Sequence, residues 1–371
     1  MRCWQRRSPN LMSTAIRRLI SLSPAVLKDG GSGPERGTGA SFSKVTYAQA
    51  APLVGLHPGK QLRDIGTFEI HRSRIPTHLF RSIVIDIDIM LMQYGAPPQH
   101  KTEEARSRFI SPVFNHLVKQ FAFMLRNKPE TMIDGRIGTH GRIEYLYEAF
   151  DLVAVLCIEI KLRVGNDDER LKIIAQVIAE CDGCNLENSA QGFSLPIHCI
   201  FTDGLSYEFF KFERNPNPSF IRGCFPGDPY HLRHGLKVPD YSSMPTALPF
   251  ILQLRCACET IFDIMLSAYI AGLKAYYQSE AYYVQSEAKA RELGLKRPSS
   301  DGWDRALQSA DRALAGFREA EVQRKDDDLD SADATVEQAL LALQESTGAV
   351  PNFYESDLIM KDWDDVEVRK A

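Results

Sequence analysis

One segment in the middle of the chain constrains the fold more than any other. Residues 153–160 are apolar at every position except Glu159, and Lys161 follows directly. A strand that is apolar on both faces is typical of the buried centre of a sheet. Because side chains alternate along a strand, Glu159 and Lys161 point to the same face. Buried charges need a partner or a metal ion, so the segment predicts either a plain ion pair or a functional site.

The flanking segments predict a mixed fold around this strand. Residues 141–148 form a second strand, and the short connection over 149–152 predicts an antiparallel hairpin. Thr102 is the predicted N-cap of a preceding helix, which Pro112 should kink or split and which ends at 127–129. Residues 82–92 fit either a helix or a strand. Three elements complete the core: a helix over 169–181, a strand over 195–201 and a strand over 206–213.

The sequence after this core predicts α-helices. A long or broken helix is predicted over 250–293, followed by an antiparallel pair over 303–324 and 333–345. The predicted fold class is therefore α/β or α+β, with an α-helical C-terminal region. The predicted divisions are a disordered basic leader and Gly/Ser linker (1–44), the core with an N-terminal extension (45–240), a helical region (248–346) and an acidic tail (347–371).

Charge is unevenly distributed along the chain. The formal net charge of the 371 residues is -4. Residues 322–371 contain 13 acidic and 5 basic residues, a net charge of -8, which leaves +4 for the remainder. The sequence is therefore not basic throughout, although a local basic groove is compatible with it. Nine basic residues are candidates for facing phosphates: Arg142, Arg163, Arg170, Lys172, Lys211, Arg214, Arg222, Arg233 and Lys237.

Targeting signals and cysteines favour an intracellular protein, nuclear or cytoplasmic. The most apolar stretch, 248–277, is interrupted by charges, so no membrane-spanning helix is predicted. The first 28 residues carry six basic residues and no acidic one, which resembles a mitochondrial transit peptide, although a disordered leader or a start at Met12 is favoured. Scattered cysteines indicate reduced thiols. Cys181 and Cys184 form a CxxC that Cys199 and Cys224 would be able to complete, but buried or idle thiols are the preferred interpretation.

Carboxylates near the central strand suggest a site for a hard cation. Glu144 lies on the paired strand, 15 residues before Glu159. Two carboxylates that converge on adjacent strands suit Mg²⁺, which prefers oxygen ligands. Asp151 lies in the hairpin turn, where an ordinary turn aspartate is the stronger interpretation. ATPase and dehydrogenase functions are not supported, because the sequence has no GxxxxGK[ST] and no complete dinucleotide fingerprint.

Several segments in this order resemble the PD-(D/E)xK nuclease superfamily, and in particular restriction-type domains found in uncharacterised fungal proteins. The similarity covers residues 102–213, a little under a third of the chain. It rests on TEEARSRFISPVF (102–114), GRIEYLYEAFDLVAVLCIEIK (141–161), AQVIAE (175–180) and IFTDG with YEFFKF (200–212). The resemblance implies a restriction-endonuclease-like core.

The resemblance also implies roles for single residues. Glu159 and Lys161 stand where the family has its (D/E)xK pair, and Glu144 stands where the family has its first Asp. Gln176 matches a helix glutamine that some members use near the metal or the DNA. The implied ligands of Mg²⁺ or Mn²⁺ are Glu144, Glu159 and the Ile160 carbonyl, with the helix acid Glu104 or its neighbour Glu103, and with Asp151 as a fallback.

The function implied in this way is metal-dependent hydrolysis of phosphodiester bonds, in DNA rather than RNA. Lys161 would orient the attacking water and offset charge that develops on the phosphate. Glu144 replaces the family's usual Asp with a longer side chain. The alternative is a catalytically inactive nuclease fold that serves as a nucleic-acid or protein scaffold through its C-terminal helices. No oligomeric state follows from the sequence.

Overall fold

The computed structural model describes residues 41–59, 64–162, 166–214, 217–226, 236–238, 247–285 and 300–350. The basic leader up to residue 40, the acidic tail from residue 351 and the predicted helix beyond residue 285 lie outside the described residues. Arg163 and Arg233 lie outside them as well. All structural statements below concern the described ranges.

A mixed sheet forms the centre of the molecule. Its strands are β1 (Thr67–Glu69), β2 (Leu125–Ile133), β3 (Gly141–Ala149), β4 (Val153–Ile160), β5 (Ile197–Thr202), β6 (Ser206–Glu213), β7 (Ser219–Cys224) and β8 (Leu236–Lys237). Their order across the sheet is β1-β7-β6-β5-β4-β3-β2, and β8 pairs with β6. The pairs β4–β5 and β1–β7 are parallel, whereas the others are antiparallel. The predicted mixed α/β class with C-terminal helices is confirmed.

Helices cover both faces of this sheet. They are α1 (Tyr47–Ala50), α2 (Thr77–Tyr94), α3 (Glu103–Val118), α4 (Asp167–Ala190), α5 (Leu248–Gln285), α6 (Ser300–Lys325) and α7 (Leu329–Ala349). Helices α1 and α4 share one apolar core with one face of the sheet. Helices α2, α3, α5, α6 and α7 share a second core with the opposite face. Because the C-terminal helices and the sheet contribute to the same core, these two parts of the chain are packed together.

The predicted hairpin is present, and its inner strand is buried throughout. Every residue of β4 is buried, as expected from its apolar sequence on both faces. The turn between β3 and β4 has two central residues with positive φ, Phe150 at 58° and Asp151 at 52°. The Leu152 amide closes the turn on the Ala149 carbonyl at 3.2 Å. Two successive residues with positive φ are typical of a type I′ turn, whose twist matches that of paired strands.

Pro112 does not split its helix. Helix α3 runs without a break through Pro112, after the Thr102 hydroxyl accepts a hydrogen bond from the Ala105 amide at its start, as predicted. A proline in this position leaves the carbonyl of residue 108 without its usual amide donor. The Ser111 hydroxyl donates to the Arg108 carbonyl at 2.8 Å instead. This replacement explains why the predicted break is absent.

The end of this helix and the segment after it differ from the prediction. Helix α3 ends at Val118, and residues 127–129 lie within β2 rather than at a helix end. Strand β2 is at the edge of the sheet, where Pro129 is tolerated because one side of the strand needs no amide donor. The ambiguous stretch 82–92 belongs to helix α2, which buries Ile83 and Ile87 four residues apart and exposes Ile85 and Ile89.

Helix α5 is the longest apolar element. Its stretch Leu248–Ser279 is long and apolar enough to cross a membrane by length and composition, but 83% of its most apolar window is buried inside the structure. The core helix of a globular fold passes the same test, so this is weak evidence for a membrane segment. At Gly272, an added Cβ would lie 2.7 Å from Ala149, so α5 needs a glycine to approach the sheet this closely.

The last two helices form the expected antiparallel pair. The Ser346 hydroxyl donates to the Ala306 carbonyl, while Gly316 lies against Ala339, so residue numbers rise on one helix as they fall on the other. Their predicted apolar stripes are directed into the protein's own core, either fully or partly buried: Leu307, Ala310, Leu314 and Phe317, and Val336, Leu340 and Leu343. These stripes are therefore not available for a partner.

A glycine at the start of β3 allows the N-terminal segment to pack against the sheet. Phe42, which the sequence analysis assigns to the linker, is 1% exposed. A Cβ on Gly141 would lie 2.1 Å from the Phe42 ring. We expect Gly141→Ala to lower the free energy of unfolding by about 1–3 kcal/mol through overpacking, measured by urea denaturation.

Gly348→Ala is the matched control for this substitution. Gly348 lies in α7 and has nothing within 4 Å of an added Cβ. Alanine there should be neutral or slightly stabilising, because it favours the helix more than glycine does. Equal stability of the two variants would show that Phe42 does not pack on Gly141 as described.

Candidate active site

The register of the β3–β4 hairpin brings two predicted carboxylates together. Tyr145 pairs with Ile158 in the antiparallel ladder, so the next pair along is Glu144 and Glu159. Directly opposed residues in an antiparallel pair have their side chains on the same face. The Glu144 carboxylate also accepts a hydrogen bond from the Ile160 amide at 3.2 Å. The two carboxylates therefore converge at the end of a buried strand.

A cavity of about 400 Å³ opens at this point of the sheet. Four of the predicted residues line it: Glu144, Glu159, Lys161 and Gln176. Glu103 lines it as well, from the first turn of α3. The remaining lining residues are Ser41, Phe42, Ser43, Met132, His140, Gly141 and Arg142. The predicted residues thus come from one hairpin and two helices, α3 and α4, to a single cavity.

Lys161 connects two of the acids. Its ammonium forms an ion pair with the Glu159 carboxylate and lies 3.6 Å from the Glu103 carboxylate. The Lys161 amide donates to the Thr202 carbonyl at 3.0 Å, which fixes its backbone to the end of β5. The Glu159 residue is 1% exposed, whereas Lys161 is partly exposed. The ammonium therefore lies between the buried carboxylate and the opening.

Helix α4 adds a second layer of polar groups beneath the cavity. The Gln176 side-chain amide donates to Glu159 Oε1 at 2.7 Å and to Glu180 Oε1 at 2.8 Å. Glu180, a residue that the sequence analysis does not select, is fully buried. The signal for it is present in the sequence, because Glu180 follows Gln176 by four residues and so shares its helix face. A charged residue on the apolar face of a buried helix is the anomaly that identifies it.

Two carboxylate oxygens of this group are unsatisfied. Within the described part of the chain, Glu159 Oε2 and Glu180 Oε2 are buried and have no hydrogen-bond partner. Buried polar atoms almost always have a partner, so such atoms call for an explanation. A cation bound to Glu159 would satisfy Oε2, and a proton on Glu180 would reduce the second deficit.

Burial and the neighbouring charges shift the pKa values of the acids and the lysine at the cavity. Burial, followed by the Glu159 carboxylate, raises the pKa of Glu144 to about 8. Burial also raises the pKa of Glu159, although the Lys161 ammonium opposes this shift. Burial lowers the pKa of Lys161, but the carboxylates of Glu159, Glu103 and Glu144 together outweigh it and the net shift is upward. Burial and then Glu159 raise the pKa of Glu180 well above its usual value.

Three predicted ligands are not among the lining residues of the cavity: Glu104, Asp151 and Ile160, which is buried and donates its amide to Glu144. Glu104 is largely exposed and pairs with Arg108 on the outside of α3 at 2.8 Å. Asp151 lies in the hairpin turn, at the end of β4 opposite to Glu159, and pairs with Arg126 at 2.9 Å. The structure therefore brings Glu103 to the cavity in place of Glu104, and it does not bring Asp151 there.

Of the predicted phosphate-facing residues, Arg142 lines the cavity. Its guanidinium also pairs with Glu130 on the edge strand at 2.8 Å and is largely exposed. Arg170 and Arg222 both pair with Glu208 on β6, and Arg222 is buried. Arg142 is therefore the member of that set that is positioned beside the acids.

Comparison with known proteins gives weak structural similarity to solved structures. No model of a known protein family matches the chain, and no curated protein matches it. A cryo-EM structure of a DrdV–DNA complex is similar at a TM-score of 0.26 and 12% sequence identity, over 74% of this chain and 27% of that one. The chain thus spans about a quarter of the length of that protein. A TM-score of 0.26 assigns neither a fold nor a function to this chain.

The raised pKa of Glu144 predicts a pH dependence of stability in the metal-free protein. A carboxyl whose pKa is about 8 when folded and near 4.5 when unfolded holds its proton more tightly in the folded state. Its contribution is fully present below the unfolded pKa and is lost as the pH rises through the folded pKa. In buffer that contains a chelator, so that no metal is bound, the free energy of unfolding should fall by a few kcal/mol between pH 4.5 and pH 8.

Glu144→Gln should make this fall smaller, because an amide does not titrate, while the part contributed by the raised pKa values of Glu159 and Glu180 should remain. Urea denaturation at several pH values measures it. Glu104→Gln, which changes the same residue type outside the cavity, serves as the control and should retain the pH dependence. If wild type and Glu144→Gln lose stability equally with rising pH, Glu144 is not buried beside Glu159 as described.

Proposed function

We propose that this protein is a metal-dependent nuclease whose core resembles that of the PD-(D/E)xK superfamily. One observation carries the proposal: Glu144, Glu159 and Lys161 converge in one cavity although they are separated along the chain. The order α3, β3, β4, α4, β5, β6 agrees with the core expected from the resemblance, with strand β2 inserted after the helix. The sequence resemblance and the geometry support the same residues independently.

The residues present fit a divalent cation with oxygen ligands. Glu144 and Glu159 would hold it, with Glu103 as a third carboxylate at the opening. Three carboxylates and one ammonium carry a net charge of -2 when all are ionised, which a divalent cation would neutralise. Glu159 Oε2 supplies a ligand atom, and a cation bound there would replace the hydrogen bond that a protonated Glu180 donates to Glu159. Mg²⁺ and Mn²⁺ are the ions whose preference for oxygen ligands this set matches.

When bound, the cation supplies positive charge to the scissile phosphate and lowers the pKa of an attacking water. Lys161 is the protein side chain that would act beside the cation. Its ammonium lies between Glu159 and Glu103, so it is held in place to orient a water and to offset negative charge on the phosphate. Gln176 fixes Glu159 from below through a 2.7 Å hydrogen bond. The site is therefore held by residues whose own positions are restrained.

The substrate we propose is a nucleic acid, with DNA favoured over RNA. The opening of the cavity carries Arg142 and His140, which are side chains that can contact phosphates. The preference for DNA rests on the family resemblance.

Cleavage of plasmid DNA in Mg²⁺ is the direct test. We expect wild type to cleave and Lys161→Ala to lose activity by about a hundredfold or more, because the variant removes a positioned charge. Lys274→Ala is the control. Lys274 also pairs with a carboxylate, Asp311 at 3.3 Å, but it lies on α5 and does not line the cavity. Equal cleavage by wild type and Lys161→Ala would refute the assignment.

A metal titration separates an active enzyme from the inactive scaffold. Binding to the folded state alone stabilises it by about 2.7 kcal/mol when the ligand is at one hundred times its Kd. We expect Mg²⁺ or Mn²⁺ to raise the Tm of wild type and to leave that of Glu159→Gln nearly unchanged. The absence of any metal effect on wild type, together with the absence of cleavage, would favour the scaffold.

A further inference from the structure

A second cluster of chemically active groups lies behind the carboxylates. The sulfurs of Cys157, Cys181 and Cys199 all lie within 4.8 Å of one another. Cys157 and Cys181 are 3.7 Å apart. Cys184 follows Cys181 by three residues in α4 and is close to Cys157, but its sulfur is not one of the three that lie within 4.8 Å of one another. All four cysteines are buried and free.

Rigid elements bring these four residues together. Cys157 and Cys199 are register partners on the parallel strands β4 and β5. Cys181 and Cys184 are three residues apart in α4, and therefore share one helix face, which packs on the same side of the sheet. The four sulfurs are thus supplied in two pairs, one from the sheet and one from the helix. None of the four lies on a loop.

We propose that the clustered Cys157, Cys181 and Cys199 form a structural zinc site, with the neighbouring Cys184 as its fourth ligand. A tetrahedral zinc ion with bonds of about 2.3 Å to sulfur places its ligands about 3.8 Å apart. The observed 3.7 Å between Cys157 and Cys181 matches that edge. Thiolates are soft ligands that select zinc over magnesium. On binding, each thiol gives its proton to solvent and its sulfur bonds to the ion.

The spacing of the sulfurs favours a single ion. Three sulfurs within 4.8 Å of one another leave room for one metal centre and too little for a cluster of several irons and sulfides. Four protein ligands fill the tetrahedron, so no position remains open for water or substrate, which is the pattern of structural rather than catalytic zinc. The set differs from the one considered in the sequence analysis, because Cys224 lies on β7 and donates to the Phe68 carbonyl instead.

The zinc site would join the two elements that carry the carboxylate cavity. Cys157 precedes Glu159 by two residues on the same face of β4, and Cys181 follows Glu180 directly in α4. An ion bound to both would fix the helix against the strand. The inference does not depend on nuclease activity, because its measured quantity is bound metal.

The test measures the metal in the purified full-length chain. We expect about one zinc per chain after production in zinc-containing medium under reducing conditions and dialysis against a chelator, because the buried ion exchanges slowly. Cys181→Ser and Cys199→Ser should lower the zinc content by about tenfold or more. Cys258→Ser is the matched control, since Cys258 is an equally buried free cysteine on α5, and it should retain the zinc.

Cobalt substitution covers the case in which the serine variants do not fold. Wild type produced with Co²⁺ should show the strong visible bands of a tetrahedral centre and the near-ultraviolet charge transfer from sulfur to cobalt. Folded wild type that contains no zinc, or a cobalt form without the sulfur charge transfer, would overturn the proposal. Retention of zinc in Cys181→Ser, or its loss in Glu159→Gln, would overturn it too, because the ion would then be held by other ligands.

Discussion

The antiparallel pairing of β3 with β4 is the constraint on which the candidate site depends. It places two carboxylates on one face at the end of a strand that is buried along its whole length. Removing charged groups from water is unfavourable, and two like charges side by side add to this. The surrounding groups offset it: the Lys161 ammonium, the Gln176 amide and protons on the acids with raised pKa. Each of them is positioned by its relation to that pair.

Local sequence patterns predicted the elements that depend on interactions between residues close together in the sequence. The hairpin, the N-cap at Thr102 and the last helical pair follow from periodicity, capping and short connections. The helix predicted over 169–181 is present but runs from Asp167 to Ala190. Strand β2 was missed because LRNKPETMI is an edge strand with several exposed polar side chains, and it therefore lacks an apolar signature. Strand β1 was missed because its three residues are too few to show an alternating pattern. Strand β7 was missed because Arg222 and Gly223 interrupt its apolar residues.

The site could be predicted in part for a similar reason. Glu144, Glu159 and Lys161 are placed by strand register, which the sequence reveals. The choice between Glu103 and Glu104 depends on how α3 is rotated about its axis, since successive residues on a helix differ by about 100°. That rotation is set by packing of the helix on the sheet. The cysteine cluster could not be predicted from local sequence patterns, because Cys157 approaches the CxxC only when β4 and α4 pack together.

The paired strands of the sheet are separated by very different lengths of chain, and this difference bears on the order in which the protein folds. Strand β1 pairs with β7 through Thr67 and Arg222, about 150 residues apart, whereas β3 and β4 are joined by a tight turn. Closing a long loop before other contacts exist is entropically unfavourable, so β1 should dock after the centre of the sheet has formed. Strand β4 is four positions away from β1, or about 19 Å. Fraying of the β1 edge, visible as fast amide hydrogen exchange, would therefore leave the strands that carry the carboxylates paired.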